Sequence, residues 1–223
     1  MSNESRASII SNIILTICAV ILTGFAVGLN LFPDRMHPRP VTSTETLSDW
    51  DSLVSTGHQM GPDSAKVHIL EFADMECPVC GYFSNNSLRG ALLNHFGQIR
   101  VTFRHWPLSY HRFAYPAARA AECAAEQDRF WEFQSEVFAK QDSLGLKTFM
   151  SFAQESGIPD TAAFLTCNAT TGPIPAIDED RRTAESHHFT GTPTVIINGK
   201  RYGNPPDSLA LDALINEILK GQN

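Results

Sequence analysis

Val67-His68-Ile69-Leu70-Glu71-Phe72-Ala73-Asp74-Met75-Glu76-Cys77-Pro78-Val79-Cys80 is the stretch from which the rest of the chain is read. Val67 to Phe72 is an apolar run too short for a core helix, and Gly61-Pro62-Asp63-Ser64 bounds it upstream, so it reads as a strand. Cys77 then falls just after a strand and at the start of a helix, with Pro78 at the first helical position, where its missing N–H does no harm. Tyr82, Phe83, Leu88, Leu92, Leu93 and Phe96 have the spacing of a helix over Tyr82 to Phe96, closed by Gly97. Ile99-Arg100-Val101-Thr102-Phe103-Arg104 alternates apolar and polar, the pattern of a half-buried strand. A strand, a helix carrying the cysteine motif and a second strand form a βαβ unit.

Beyond this unit the pattern turns helical, from about Arg112 to Phe189. Ala114, Ala117, Ala118, Ala120, Ala121, Ala124 and Ala125 give a strong helix-forming composition, and Phe130, Phe133 and Val137 repeat at helical spacing. Further helices are expected at 145–156 and 176–188, with Gly157-Ile158-Pro159 as a break. So long a stretch is no loop, and residues about 110–190 are expected to form an inserted helical subdomain. Thr194-Val195-Ile196-Ile197 resumes the sheet, and Asn198-Gly199 turns it back into Lys200-Arg201-Tyr202 as a hairpin. A final helix has Leu211, Leu214, Ile215, Ile218 and Leu219 on one face, starts at Asp207 or Ser208 and ends near Gly221. The order β-α-β, helical insert, β-β-α is that of an α/β, thioredoxin-like fold interrupted by helices.

The 223 residues, 43% hydrophobic and 18% charged, fit one globular domain with an extension. A net charge of −7 without a clustered Lys/Arg surface argues against nucleic acid as a partner. After a tail over residues 1–8, residues 9–32 hold no charged side chain and are long enough for a transmembrane helix. The expectation is an uncleaved anchor or signal, while Gly24-Phe25-Ala26 keeps a cleaved signal open. Arg6 on one side against Arg35 and Arg39 on the other does not decide the orientation, and Cys18 reads as a small apolar residue of the anchor. Residues 33–46, rich in Pro, Ser/Thr and charge, read as a linker to a domain over 47–223. Leu47, Trp50, Leu53 and Val54 form a short amphipathic stretch expected to brace that domain.

At a helix N-terminus, free backbone N–H groups and the positive dipole end stabilise a thiolate, so Cys77 is the expected low-pKa attacking sulfur. Cys80, one turn on, is spaced to form a disulfide with Cys77 or to resolve a mixed disulfide. The same spacing serves as half of a zinc site, which needs two more ligands. Cys123 and Cys167 stand singly, and the adjacent His187 and His188 would point about 100° apart on a helix. A redox-active disulfide with no metal and no other cofactor is therefore expected. Asn85-Asn86-Ser87 and Asn168-Ala169-Thr170 fit the glycosylation pattern but read as ordinary polar residues.

The runs from Gly61 to Val67 and from Glu71 to Cys80 resemble the entry into the active site of DsbA-like thiol–disulfide oxidoreductases. Ala120-Ala121-Glu122-Cys123-Ala124, Phe130-Trp131 and Gly191-Thr192-Pro193-Thr194 are similar to later segments of that family, so the resemblance spans about residue 47 to the C-terminus. It implies that Pro193 is a cis-proline facing Cys77, that the Thr192 backbone pairs with extended substrate, and that Glu71 is a buried acid relaying a proton to or from Cys80. It also implies a second disulfide between Cys123 and Cys167. Many strongly oxidising members carry His where Val79 stands, so a weaker oxidant is expected, and Thr192 is found in isomerase-like relatives as well as oxidases. The implied function is a monomeric dithiol oxidase held by a single-pass helix in the inner (cytoplasmic) membrane, its catalytic domain on the periplasmic side. It would oxidise unfolded or reduced exported proteins and be re-oxidised by a membrane partner, quinone-linked or other. A reductase or isomerase kept reduced by an electron donor, and a tethered chaperone or metal-binding module, are the alternatives.

Overall fold

The computed structural model describes residues 13–21 and 42–221, which fall in two compact units divided between Arg39 and Pro40. Residues 13–21 are helical and exposed; the rest of the expected anchor over 9–32, and most of the expected linker over 33–46, lie outside the described residues. Among the described residues, no helix is long and apolar enough to cross a membrane.

The second unit is built on a six-stranded sheet in the order β1-β6-β5-β3-β4-β2. These strands are β1 (Ser43–Thr46), β2 (His58–Met60), β3 (Val67–Ala73), β4 (Ile99–His105), β5 (Thr194–Ile197) and β6 (Lys200–Tyr202). β3 and β4 run parallel, as a βαβ unit requires, and all other pairs are antiparallel. Two edges depart from the sequence reading. Ser43–Thr46, assigned above to the linker, pairs with β6, and His58–Met60 pairs with β4. β1 is exposed along its whole length, so it is held by backbone hydrogen bonds and leaves no hydrophobic signal.

β4 is a correction of another kind. Its alternation predicts one face in water, yet Thr102 and Arg104 are buried. Arg104 Nε donates to Asp180 Oδ1 at 2.6 Å, and His68 Nε2 lies 2.8 Å from Thr102 Oγ1, so the polar face is covered and satisfied rather than solvated.

Helices cover both faces. One face of β3, with Val67 and Ile69, packs with Val101, Val195 and Ile197 against Phe83, Leu211 and Ile215. The opposite face, with Leu70 and Phe72, packs with Ile196 against Leu53, Ala184 and Phe189. Leu53 belongs to the short helix α1 (Trp50–Val54), and the Leu47 N–H donates to Gly199 O at 2.8 Å, so this segment does brace the sheet. The motif helix starts at Pro78 as α2 (Pro78–Tyr82), passes through a π-helical stretch (Phe83–Leu88) and continues as α3 (Arg89–Asn94). The wider turn shifts the helical phase, so Phe83, Leu88 and Ala91 are buried while Leu93 and Phe96, placed on the apolar face by simple periodicity, are exposed.

Five α-helices separate β4 from β5: α4 (Ala114–Ala125), α5 (Phe130–Ala139), α6 (Phe149–Glu155), α7 (Thr161–Asn168) and α8 (Pro175–Ser186). Ala117, Ala120, Ala121 and Ala124 are fully buried, and their small side chains let Phe133, Phe152 and Phe164 pack close to α4. α7 carries no clear apolar stripe; it starts where the Asp160 side chain accepts from the N–H groups of Ala162 and Ala163. Cys167 on α7 is bonded to Cys123 on α4, with a Cα–Cα separation of 5.7 Å. α8 stops at Ser186, two residues short of the expected end, where His188 takes φ +52°. Asn198 and Gly199 take φ +47° and +82° in the hairpin turn, and Asn198 Oδ1 accepts from His68 N–H. The last helix, α9 (Ser208–Leu219), is capped by Asp207, which accepts from Ala210 N–H.

Candidate active site

Cys77 stands at the N-cap of α2 with extended backbone (φ −69°, ψ 119°) and Pro78 at the first helical turn. The backbone N–H groups of Val79 and Cys80 therefore point at its sulfur, since nothing within the helix accepts from them. Hydrogen bonding from the Cys80 thiol, helped by the Thr192 side chain and these two N–H groups, outweighs partial burial and brings the Cys77 pKa down to about 5. Cys80 behaves oppositely. Burial first, then its hydrogen bond to Cys77 and the charges of Glu71 and Cys77, push its thiol well above the ordinary value. At neutral pH one sulfur is a thiolate and the other a thiol held in reserve. Val79 contributes through its backbone, while its side chain is half exposed.

The Thr192-Pro193 peptide is cis, and the Cys77 thiol donates to the Thr192 carbonyl at 3.4 Å. The Thr192 hydroxyl oxygen is buried without another partner, leaving it free to donate once the sulfur is ionised.

Glu71 lies mid-strand in β3, opposite Phe103 on one side and Val195 on the other. The two-residue strand period puts its side chain on the face of Ile69, beneath the motif helix. It is fully buried, and neither carboxyl oxygen has a hydrogen-bond partner. Burial, with the negative charge of Cys77 second, pushes its pKa up to about 8, so it is protonated and neutral at pH 7. Because this folded pKa lies above the ordinary 4.5, the contribution of Glu71 to the stability of the reduced protein falls as pH rises from about 4.5 to about 8. Glu71→Gln is expected to abolish that decline and to raise stability at pH 7 by roughly 3 kcal/mol, read by denaturant unfolding at pH 5 and 8.

Two further residues hold the site and gave no signal of their own in the sequence. Gln141, at the start of a short 3-10 helix (Gln141–Ser143) after α5, donates through its amide to the carbonyls of Met75 and Cys77, both at 2.9 Å. That approach requires Gly81, where a Cβ would lie 2.2 Å from Gln141 Oε1. Asp74 accepts from the Glu76 N–H at 2.7 Å with Oδ1, and from the Leu108 N–H and His111 Nδ1, both at 2.8 Å, with Oδ2. These bonds fix the loop between β3 and α2 from outside the motif.

Residues 53–217 match the family model described as Thioredoxin. BdbD from Bacillus subtilis, in its oxidised form, superposes with a TM-score of 0.66 at 21% identity over 82% of this chain and 100% of that one. Wolbachia pipientis alpha-DsbA1 superposes with a TM-score of 0.63 at 22% identity over 74% of this chain and 91% of that one. Among curated proteins, the Na(+)/H(+) antiporter NhaA 3 of Salinispora tropica is 35% identical over 159 residues, or 71% of this chain and 24% of the antiporter. The chain thus spans about a quarter of that relative's length. With the matched residues running from α1 into α9, the chain belongs to the thioredoxin family and has the DsbA-like form of its fold.

Proposed function

We propose that this protein is a thiol–disulfide oxidoreductase that oxidises dithiols in exported proteins through Cys77 and Cys80. The observation that carries the reading is the placement of Cys77 at the N-cap of α2 against the Thr192 carbonyl before cis Pro193, with Cys80 buried in the next turn. A substrate thiolate attacks Cys77 Sγ of the Cys77–Cys80 disulfide, the S–S bond breaks, and Cys80 leaves and takes the Glu71 proton. The second substrate thiol then attacks the mixed disulfide and expels Cys77 as a stabilised thiolate. Substrate loses two electrons, the protein gains them, and a membrane re-oxidant must remove them. The exposed Val79 and Tyr82 beside Cys77 offer an apolar landing for unfolded substrate.

The Cys123–Cys167 disulfide favours an oxidising, extracytoplasmic compartment, with residues 9–32 as the anchor. Ion transport, named for the Salinispora relative, is not carried over, since three-quarters of that protein has no counterpart here. Trapping the cellular redox state of Cys77 and Cys80 by thiol alkylation tests the direction. An oxidase keeps the pair mostly oxidised; a mostly reduced pair makes the protein a reductase or isomerase. Val79→His tests the strength. An imidazole beside Cys77 stabilises the thiolate further, and each tenfold gain should raise the reduction potential by roughly 30 mV against a glutathione couple.

A further inference from the structure

A second cluster of reactive side chains lies apart from the cysteines. His58 on β2 pairs directly with Phe103 on β4, and His105 stands two residues further along β4, so both imidazoles project from the same sheet face. Glu122 on α4 comes down onto that face. Its Oε1 lies 2.6 Å from His58 Nε2 and 2.8 Å from His105 Nε2. Each ligand-type atom of the three is within 4.8 Å of the others.

The geometry points to a binding site for one divalent transition-metal ion of the zinc class, held by His58 Nε2, His105 Nε2 and the Glu122 carboxylate. Two imidazoles and one carboxylate are an established donor set for such ions, with the fourth position left to water. A tetrahedral ion at 2.0–2.1 Å from each donor sets them about 3.3 Å apart, so the two Glu122 separations need to open by about 0.5–0.7 Å. The rings are already held in place. His58 stacks on Phe130 at 3.5 Å between centroids and 12° between planes, and His105 meets Phe103 and Phe130 edge-on at 5.2 and 5.7 Å. His105 is buried, but His58 and Glu122 keep 22% and 19% of their side chains exposed. Glu122 also borders an open cleft with Ala125, Cys167 and Ile174. Coordination through Nε2 needs each imidazole neutral with its proton on Nδ1, so any proton an Nε2 shares with Glu122 is released to solvent when the ion binds. The ion would tie edge strand β2 to β4 and to α4.

The test uses the full chain with Cys77–Cys80 oxidised and Cys18 alkylated, so that no thiolate competes, titrated with Zn2+ against a chromophoric chelator. One ion per chain is expected. Glu122→Gln keeps an oxygen for both rings but removes the anionic donor, and His58→Ala removes a donor at the sheet edge; each should weaken Zn2+ by at least about tenfold. Less than one ion per chain at micromolar free Zn2+, or wild-type affinity in both variants, overturns the site. Should either variant fail to fold, Co2+ on the wild-type chain decides: intense visible bands of a four-coordinate ion support it, and their absence refutes it.

Discussion

Cys77→Ser protein is expected to transfer no disulfide, its rate with a dithiol peptide falling at least about a thousandfold to the uncatalysed level. Serine fits the same N-cap, so the fold survives, but a hydroxyl neither forms the disulfide nor ionises in this range. The wild-type chain should also show why Cys77 is chosen. Alkylation of Cys77 by iodoacetamide is expected to rise through pH about 5 and then level off, following the pKa set by Cys80, Thr192 and two backbone N–H groups. Cys80, buried and held as a thiol, should stay unmodified to pH 9. A depressed thiol pKa adds stability to the reduced fold that is present above the ordinary value of 9.0 and lost as pH falls through about 5. The stability difference between reduced and oxidised protein should therefore move in favour of the reduced form between pH 5 and 9. On the proposed function, the same difference is what drives disulfide donation.

Removing the Cys123–Cys167 bond should produce the largest loss of stability. The bond closes a sequence separation of 44 residues, for which the chain-entropy model gives about 4 kcal/mol. The pair stands where α4 packs on α7, a helix without a clear apolar stripe whose one buried residue is Phe164. A Cys123→Ala/Cys167→Ala protein should lose about 4 kcal/mol in denaturant unfolding and fray first at α7, seen as faster amide exchange over Thr161–Asn168. Thiol–disulfide exchange at Cys77 should persist under conditions where this variant remains folded.

The parts of the fold legible in the sequence are those where one force dominates. β3, β5 and the Asn198-Gly199 turn follow from apolar runs and turn chemistry, and α4 from its alanines. The elements missed are held by something a linear pattern does not record. β1 is polar and fixed by pairing with β6 and by the Arg201–Glu45 ion pair, and α7 by a capping Asp160, a disulfide and the single buried Phe164. Arg104 looks solvent-facing until Asp180, 76 residues away, arrives to meet it. In the site, Cys77 and Cys80 were visible because their chemistry sits in one helical turn. Glu71, Thr192 and Pro193 stand out only through the family resemblance, and Gln141 and Asp74 act through hydrogen bonds to backbone groups and His111 that leave no motif.

The most direct measurement is stoichiometric disulfide transfer. Purified protein with Cys77 and Cys80 oxidised is mixed with a reduced peptide bearing two cysteines, and both partners are followed by mass after acid quenching. One peptide disulfide formed for each Cys77–Cys80 pair reduced, with a Cys80→Ser variant accumulating a mixed disulfide at Cys77, is the result predicted here. A peptide that stays reduced beside an unchanged Cys77–Cys80 disulfide would contradict it.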